Sequence, residues 1–302
     1  MLTRRQLLGS SVVTAGVCLT RSNWLRAEAP NNNSAPQKLH YKIGVCDWMM
    51  LKRQKLGAFP LAKEVGADGV EVDMGSLGKR ETFDNALADA DVRKQFLEAA
   101  RQNNLEICSL AMSAFYAQSF AERPTVPRMM DDCIATMKGM GVKVAFLPLG
   151  VNGDLVKYPE RRSAIVERLR AVAPAAERAG VVIGLETAID AAEEIRLLDD
   201  IGSPAIQIYF NFENPLQAGR DLYADLKTLG HRICQIHCTD QDGVLLQDNP
   251  RINMPKVKQT LDEMNWSGWL VIERSRDARD SRNVRRNFGE NTKYLKSIFQ
   301  TS

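Results

Sequence analysis

His237 lies in the stretch RICQIHCTD, Arg232 to Asp240, where an apolar run gives way to groups that bind metals and protons. The chain has three histidines; His40 falls in a polar N-terminal segment and His231 at a helix-to-strand joint, so neither shares this setting. A lone strand histidine is as often a hydrogen-bonded core residue as a ligand. The neighbouring apolar runs decide for the ligand. GLET ends in Glu186, YFNFEN carries Asn211, Glu213 and Asn214, and VIER ends in Glu273. Buried carboxylates repel one another and lose their hydration unless a counter-charge offsets both effects. A divalent cation does so, and carboxylate, carboxamide and imidazole donors suit Mn, Mg, Co or Zn better than a soft metal.

Each of these residues closes a short apolar run. Eight runs follow one another from Tyr41: YKIGVCDW, GVEVDMG, LEICSLAM, VKVAFLPLG, VVIGLET, AIQIYFNF, RICQIHCTD and GWLVIERS. Between them lie charged stretches such as DVRKQFLEAARQNN and PERRSAIVERLRAVAPAAERAG, whose apolar residues recur every three or four positions before a closing asparagine or glycine. Apolar strands alternating with helices predict a parallel sheet covered on both faces, and eight such units predict a single (β/α)8 barrel. A doubly wound sheet would carry a glycine-rich turn after its first strand, and no GxGxxG follows YKIGVCDW. In a barrel the strands deliver their last residues to one rim. Alternation then points Gln235 and His237 into the barrel and Cys234, Ile236 and Cys238 toward the helices, with Trp269, Val271 and Glu273 sharing one face.

A chain of 302 residues with 44% hydrophobic and 25% charged content is an ordinary core-forming globular protein. Its formal charge of +3 is carried by residues 1–29, where Arg4, Arg5, Arg21 and Arg26 outweigh Glu28. The remainder is near neutral, which argues against a nucleic-acid partner. Arg4 and Arg5 precede an apolar run too short to span a bilayer comfortably, and TRRQLL resembles a twin-arginine export signal, with an ordinary secretory n-region as the alternative. Either sends the protein across the membrane, to the periplasm. Pro30 after the Ala27-x-Ala29 pattern disfavours cleavage there, so the signal is cut elsewhere or kept as an anchor. The expected layout is an export signal over 1–29, a linker over 30–41 and the barrel over 42–302. Of the six cysteines, Cys18 lies in the signal, and the odd remainder in apolar runs predicts packing thiols without a disulfide framework.

From about Lys42 to the last helix the sequence resembles the xylose isomerase-like sugar isomerases and epimerases, with tagatose and psicose epimerases, inosose dehydratases and endonuclease IV among them. The resemblance implies one metal held by Glu, Asp, His and Glu from strands five to eight, at positions matching Glu186, Asn211, His237 and Glu273. Asparagine stands where the family usually has aspartate, which implies either weaker metal binding or help from Glu213. The resemblance further implies that Glu186 and Glu273 act as acid and base on a carbon next to a carbonyl, giving epimerisation or isomerisation, or elimination where a β substituent can leave. The DNA-repair branch needs more histidines than this chain supplies. Export favours a free sugar, a polyol or an oxidised glycoside. The readings are therefore a metal-dependent isomerase or epimerase, a lyase releasing the aglycone of a 3-keto-glycoside, and a non-catalytic sugar-binding barrel. Expected partners are the sugar or glycoside, the export translocase and, optionally, further copies of the chain.

Substrate contacts are expected from Tyr116 and Asn214, and from Arg276 as a carboxylate-binding residue alongside Arg274 and Arg279. Phe115, Tyr116 and Phe120, after strand three, either stack on a sugar face or pack their loop down.

Overall fold

The structure is a computed structural model that describes residues 40–300; the expected export signal and most of the expected linker lie outside the described residues. Eight parallel strands, β1 (Tyr41–Cys46), β2 (Gly69–Asp73), β3 (Glu106–Ala111), β4 (Val144–Pro148), β5 (Val182–Glu186), β6 (Ile206–Asn211), β7 (Ile233–His237) and β8 (Gly268–Ile272), close into a barrel in chain order. The helices between and after them are α1 (Ala58–Glu64), α2 (Ala90–Gln102), α3 (Val126–Met140), α4 (Arg162–Ala179), α5 (Ala191–Ile201), α6 (Glu213–Gln217), α7 (Leu222–Leu229), α8 (Met254–Glu263) and α9 (Val284–Phe299). The predicted (β/α)8 barrel is the observed fold. Its first strand begins at Tyr41, inside the expected linker.

Local signals explain where the helices sit. Asp89, Asp190 and Asp221 accept hydrogen bonds from backbone N–H groups in the first turns of α2, α5 and α7. Beyond their last turns, Asn104 (φ 54°) and Gly180 (φ 64°) take the left-handed conformation that ends α2 and α4.

Two apolar layers hold the barrel. Outward strand residues such as Ile43, Val45, Val72, Ile183, Ile208 and Ile236 are buried under helix residues including Phe59, Phe96, Leu169 and Leu295. Each fully buried aliphatic side chain contributes roughly 1.5–3 kcal/mol. Inside the barrel, Cys46, Trp48, Cys108, Ala111, Phe146, Tyr209 and Val271 form a second cluster against Trp269 and Cys234.

Cys234 corrects the expected alternation. The ladder pairs Ile208 with Ile233 and then Tyr209 with Gln235, so β7 holds an extra residue there and Cys234 packs with the interior cluster. Ile236 and Cys238 do face the helix layer. The five cysteines among the described residues are free thiols, and burial pushes Cys234 up to about 12, as expected of packing residues.

Candidate active site

Parallel strands in closed register carry the predicted residues to one rim. Asn211 pairs with His237 across β6 and β7, and His237 with Val271 across β7 and β8, which leaves Glu273 on the same face one step beyond. Glu186 ends β5. One ligand atom from each of Glu186, His237 and Glu273 lies within 4.8 Å of the others, and all three residues are buried. His237 Nδ1 is 3.4 Å from Glu186 Oε2 and 3.6 Å from Glu273 Oε2.

Asn211 enters this group differently from the expected ligand. Its Oδ1 accepts the backbone N–H of Glu213 at 3.0 Å, which turns Nδ2 inward to donate to Glu186 Oε2 at 3.0 Å and Glu273 Oε2 at 3.4 Å. The amide therefore presents a donor to the carboxylates and no free oxygen toward a cation. Glu213 does not supply the missing charge: its carboxylate faces Arg274 at 3.4 Å and Gln217.

Behind His237 stands Glu71, which is not among the site residues expected from the sequence. His237 Nε2 is 2.9 Å from Glu71 Oε1, and Glu71 Oε2 accepts from Ser109 Oγ at 2.6 Å and Tyr209 OH at 2.7 Å, with every member fully buried. Gln235 Nε2 donates to both hydroxyls at 2.9 Å. The available signal was a carboxylate between Val70 and Val72 on a strand buried on both faces, a place a charge occupies only with partners. This pair holds the imidazole by one nitrogen and aims the other at the rim.

Tyr116 reaches the site from the turn after β3. Its hydroxyl lies 3.2 and 3.3 Å from the two oxygens of Glu186 and 3.1 Å from Glu273 Oε1. Phe115 and Phe120 are fully buried 5.5 Å apart, edge to face, so they pack the loop down and are not available to a sugar. Asn214 is partly exposed on the first turn of α6. Arg276 is held by Asp242 through two nitrogens, and Arg279 by Asp277, so neither stands free for a substrate carboxylate.

Burial sets the electrostatics. It lifts the Glu273 carboxyl above the ordinary range, with His237 opposing and Glu186 adding to the rise. Burial works against a charged His237, but the charges of Glu273 and Glu71 and its bonds with Glu186 and Glu71 overcome it and move the imidazole upward. Tyr116 is pushed well above 10 by burial and then by Glu186 and Glu273, and so stays a neutral phenol. Three buried carboxylates around one imidazole favour an added cation. Glu186, His237 through Nδ1, and Glu273 fit a divalent ion; Asn211, as it is turned, does not complete the set.

Residues 59–298 match the family described as Xylose isomerase-like TIM barrel. The chain is 27% identical over 189 residues to a 2-epi-5-epi-valiolone 7-phosphate 2-epimerase of Actinoplanes sp., a match spanning 60% of this chain and 65% of that protein. Among solved structures, a 3-keto-D-glucoside 4-epimerase from E. coli superposes with a TM-score of 0.67 at 16% identity, over 85% of this chain and 99% of that one. A D-psicose 3-epimerase from Clostridium cellulolyticum H10 gives 0.66 at 13% identity, again over 85% and 99%. These two are likenesses of fold. With the match to residues 59–298 covering most of a closed eight-stranded barrel, the chain belongs to the Xylose isomerase-like TIM barrel family.

Proposed function

We propose that the protein is a metal-dependent sugar isomerase or epimerase that moves a proton on a carbon next to a carbonyl of a non-phosphorylated sugar or related polyol. The observation that carries this reading is the convergence of Glu186 and Glu273, from strands separated by β6 and β7, on one buried volume. Carboxylates approaching from different strands suit removal of a proton by one and its return by the other. A divalent cation held by Glu186, His237 and Glu273 supplies positive charge that offsets the negative charge developing on substrate oxygen. Asn211 Nδ2 and Tyr116 OH each contact both carboxylates and keep them together.

Relatives named as epimerases support the reaction class. The relative from Actinoplanes carries a phosphate in its substrate's name, whereas here Arg276 and Arg279 are paired with Asp242 and Asp277 and Arg274 faces Glu213. That pairing favours an uncharged sugar. Export through the signal at Arg4 and Arg5 agrees with it, because free sugars and glycosides are what an enzyme outside the cytoplasm meets. Asn214 remains the proposed substrate contact from α6.

Two other readings rest on particular observations. A lyase acting on a 3-keto-glycoside uses the same two carboxylates, and the fold neighbour named for a 3-keto-D-glucoside motivates it. A sugar-binding barrel without catalysis is motivated by the inward-turned Nδ2 of Asn211. Incubating the Mn-loaded protein with D-fructose, D-psicose or a methyl 3-keto-glucoside in deuterated water separates them by NMR. Deuterium entering the sugar without loss of methanol supports the epimerase, methanol release the lyase, and neither result the binding barrel.

A further inference from the structure

We propose that Glu213 sets the charge of the substrate: it occupies Arg274, a loosely held arginine at the mouth of the barrel, and so keeps phosphorylated sugars out of the site. The proposal rests on the reading of an uncharged sugar given above and names the residue responsible for that preference. Glu213 lies two residues beyond Asn211 at the end of β6, and Arg274 follows Glu273 just after β8, so both stand at the rim that carries the buried carboxylates. Arg274 Nη1 is 3.4 Å from Glu213 Oε1, with the arginine side chain 43% exposed and the glutamate side chain 15%.

The neighbouring arginines are held quite differently. Arg276 meets Asp242 through two nitrogens, at 3.0 and 2.5 Å, and Arg279 meets Asp277 at 2.9 and 2.8 Å. Such forks use up the geometry that an arriving phosphate would need. Among the described residues the Arg274 side chain makes only its one long bond to Glu213, and a guanidinium has five N–H donors. Arg274 therefore has the donors to take an anion and lacks only the net charge. Its charge also reaches inward, where it opposes the rise of both Glu273 and Tyr116, so an anion bound to it would lie beside the substrate.

That anion would lie beside Glu213 as well. Like charges a few ångströms apart in a partly buried place repel about as strongly as the guanidinium attracts, so a phosphate gains nothing there, whereas a neutral hydroxyl is little affected. Discrimination of this kind comes from a repulsive element rather than from a tighter fit. Contacts on its own side of the mouth hold Glu213 in place: its backbone N–H donates to Asn211 Oδ1 at 3.0 Å, and Gln217 Nε2 donates to its Oε1.

The test titrates sodium sulfate, a doubly charged anion of phosphate shape that leaves Mn in solution, into Mn-loaded wild type, Glu213→Gln, Arg274→Met and the double variant by calorimetry at fixed ionic strength. Glu213→Gln keeps an oxygen for Gln217 and removes only the charge. It should bind sulfate about 10- to 100-fold more tightly than wild type, and the double variant should return to within about twofold of wild type. Arg274→Met alone should leave the weak wild-type binding within about twofold, because Glu213 already cancels that arginine. The rate on D-fructose 6-phosphate relative to D-fructose should rise in Glu213→Gln and fall back in the double variant. No gain in Glu213→Gln overturns the proposal, as does a gain that survives in the double variant, which would place the anion on the metal. A wild type that loses sulfate affinity in Arg274→Met also overturns it, whether or not Glu213→Gln folds. A wild type that acts on neither sugar overturns the epimerase reading, while the sulfate series still decides the role of Glu213.

Discussion

Replacing Asn211 by aspartate changes one atom and reverses the electrostatics of the site. Oδ1 remains to accept the Glu213 N–H, but the Nδ2 donor to Glu186 and Glu273 becomes a carboxylate oxygen about as close to Glu186 as the present 3.0 Å. At that distance and an effective dielectric of about 20, two unit charges repel by ~5–6 kcal/mol. Keeping the new carboxyl protonated at pH 7 costs about 4 kcal/mol from an ordinary pKa near 3.9. Protonation is the cheaper outcome, so metal-free N211D should be less stable than wild type by about 4 kcal/mol at neutral pH, on the order of 10 °C in Tm. The folded pKa of this carboxyl lies above its unfolded value, so the deficit grows as pH rises and shrinks to about 1–2 kcal/mol at pH 5. A divalent cation inverts the comparison, because the variant then offers a charged fourth ligand. Thermal melts of chelator-treated wild type and N211D at pH 5 and pH 8, each with and without Mn, check both halves. Equal melting temperatures without metal at pH 8, or a smaller Mn-induced gain in the variant, would refute the reasoning.

Elemental analysis of H237A should find most of the divalent metal gone, while E273Q keeps its metal and loses turnover by a factor on the order of 10². Metal retained in H237A at the wild-type level would remove His237 from the ligand set. Glu194, held by Thr187 Oγ1 at 2.8 Å, is pushed up to about 8 by burial, so stability from this group falls as pH rises from about 4.3 toward 8. E194Q keeps the acceptor, should flatten that slope and gain roughly 2–4 kcal/mol at pH 8 in denaturant titrations; an unchanged slope would show that Glu194 titrates normally. Replacing Arg4 and Arg5 together by lysine should trap the protein in the cytoplasm, as read by cell fractionation. Normal export of that double variant would point to the general secretory route.

The residues that sequence alone brought together are those whose placement follows from periodicity. Glu186, His237 and Glu273 each close an apolar run, eight such runs alternate with helices, and a parallel barrel delivers every run's end to one rim, whatever the details of packing. Asn211 was legible as a position and not as an orientation: its amide is turned by the Glu213 N–H, a contact of backbone geometry that residue types do not encode. Glu71 lay in plain view on β2, but its bond to His237 spans 166 residues of sequence. The bulge at Cys234 shifted a face that strict alternation had assigned to the helices. Residue type offers Tyr116 either as a surface for a sugar or as packing for its loop, and only the closed fold puts its hydroxyl against carboxylates 70 and 157 residues away. Periodicity determines which face and which end of the barrel a residue occupies, because those depend on one strand at a time. Which donor meets which acceptor depends on distances between strands and loops that are set only when the barrel closes and its side chains pack.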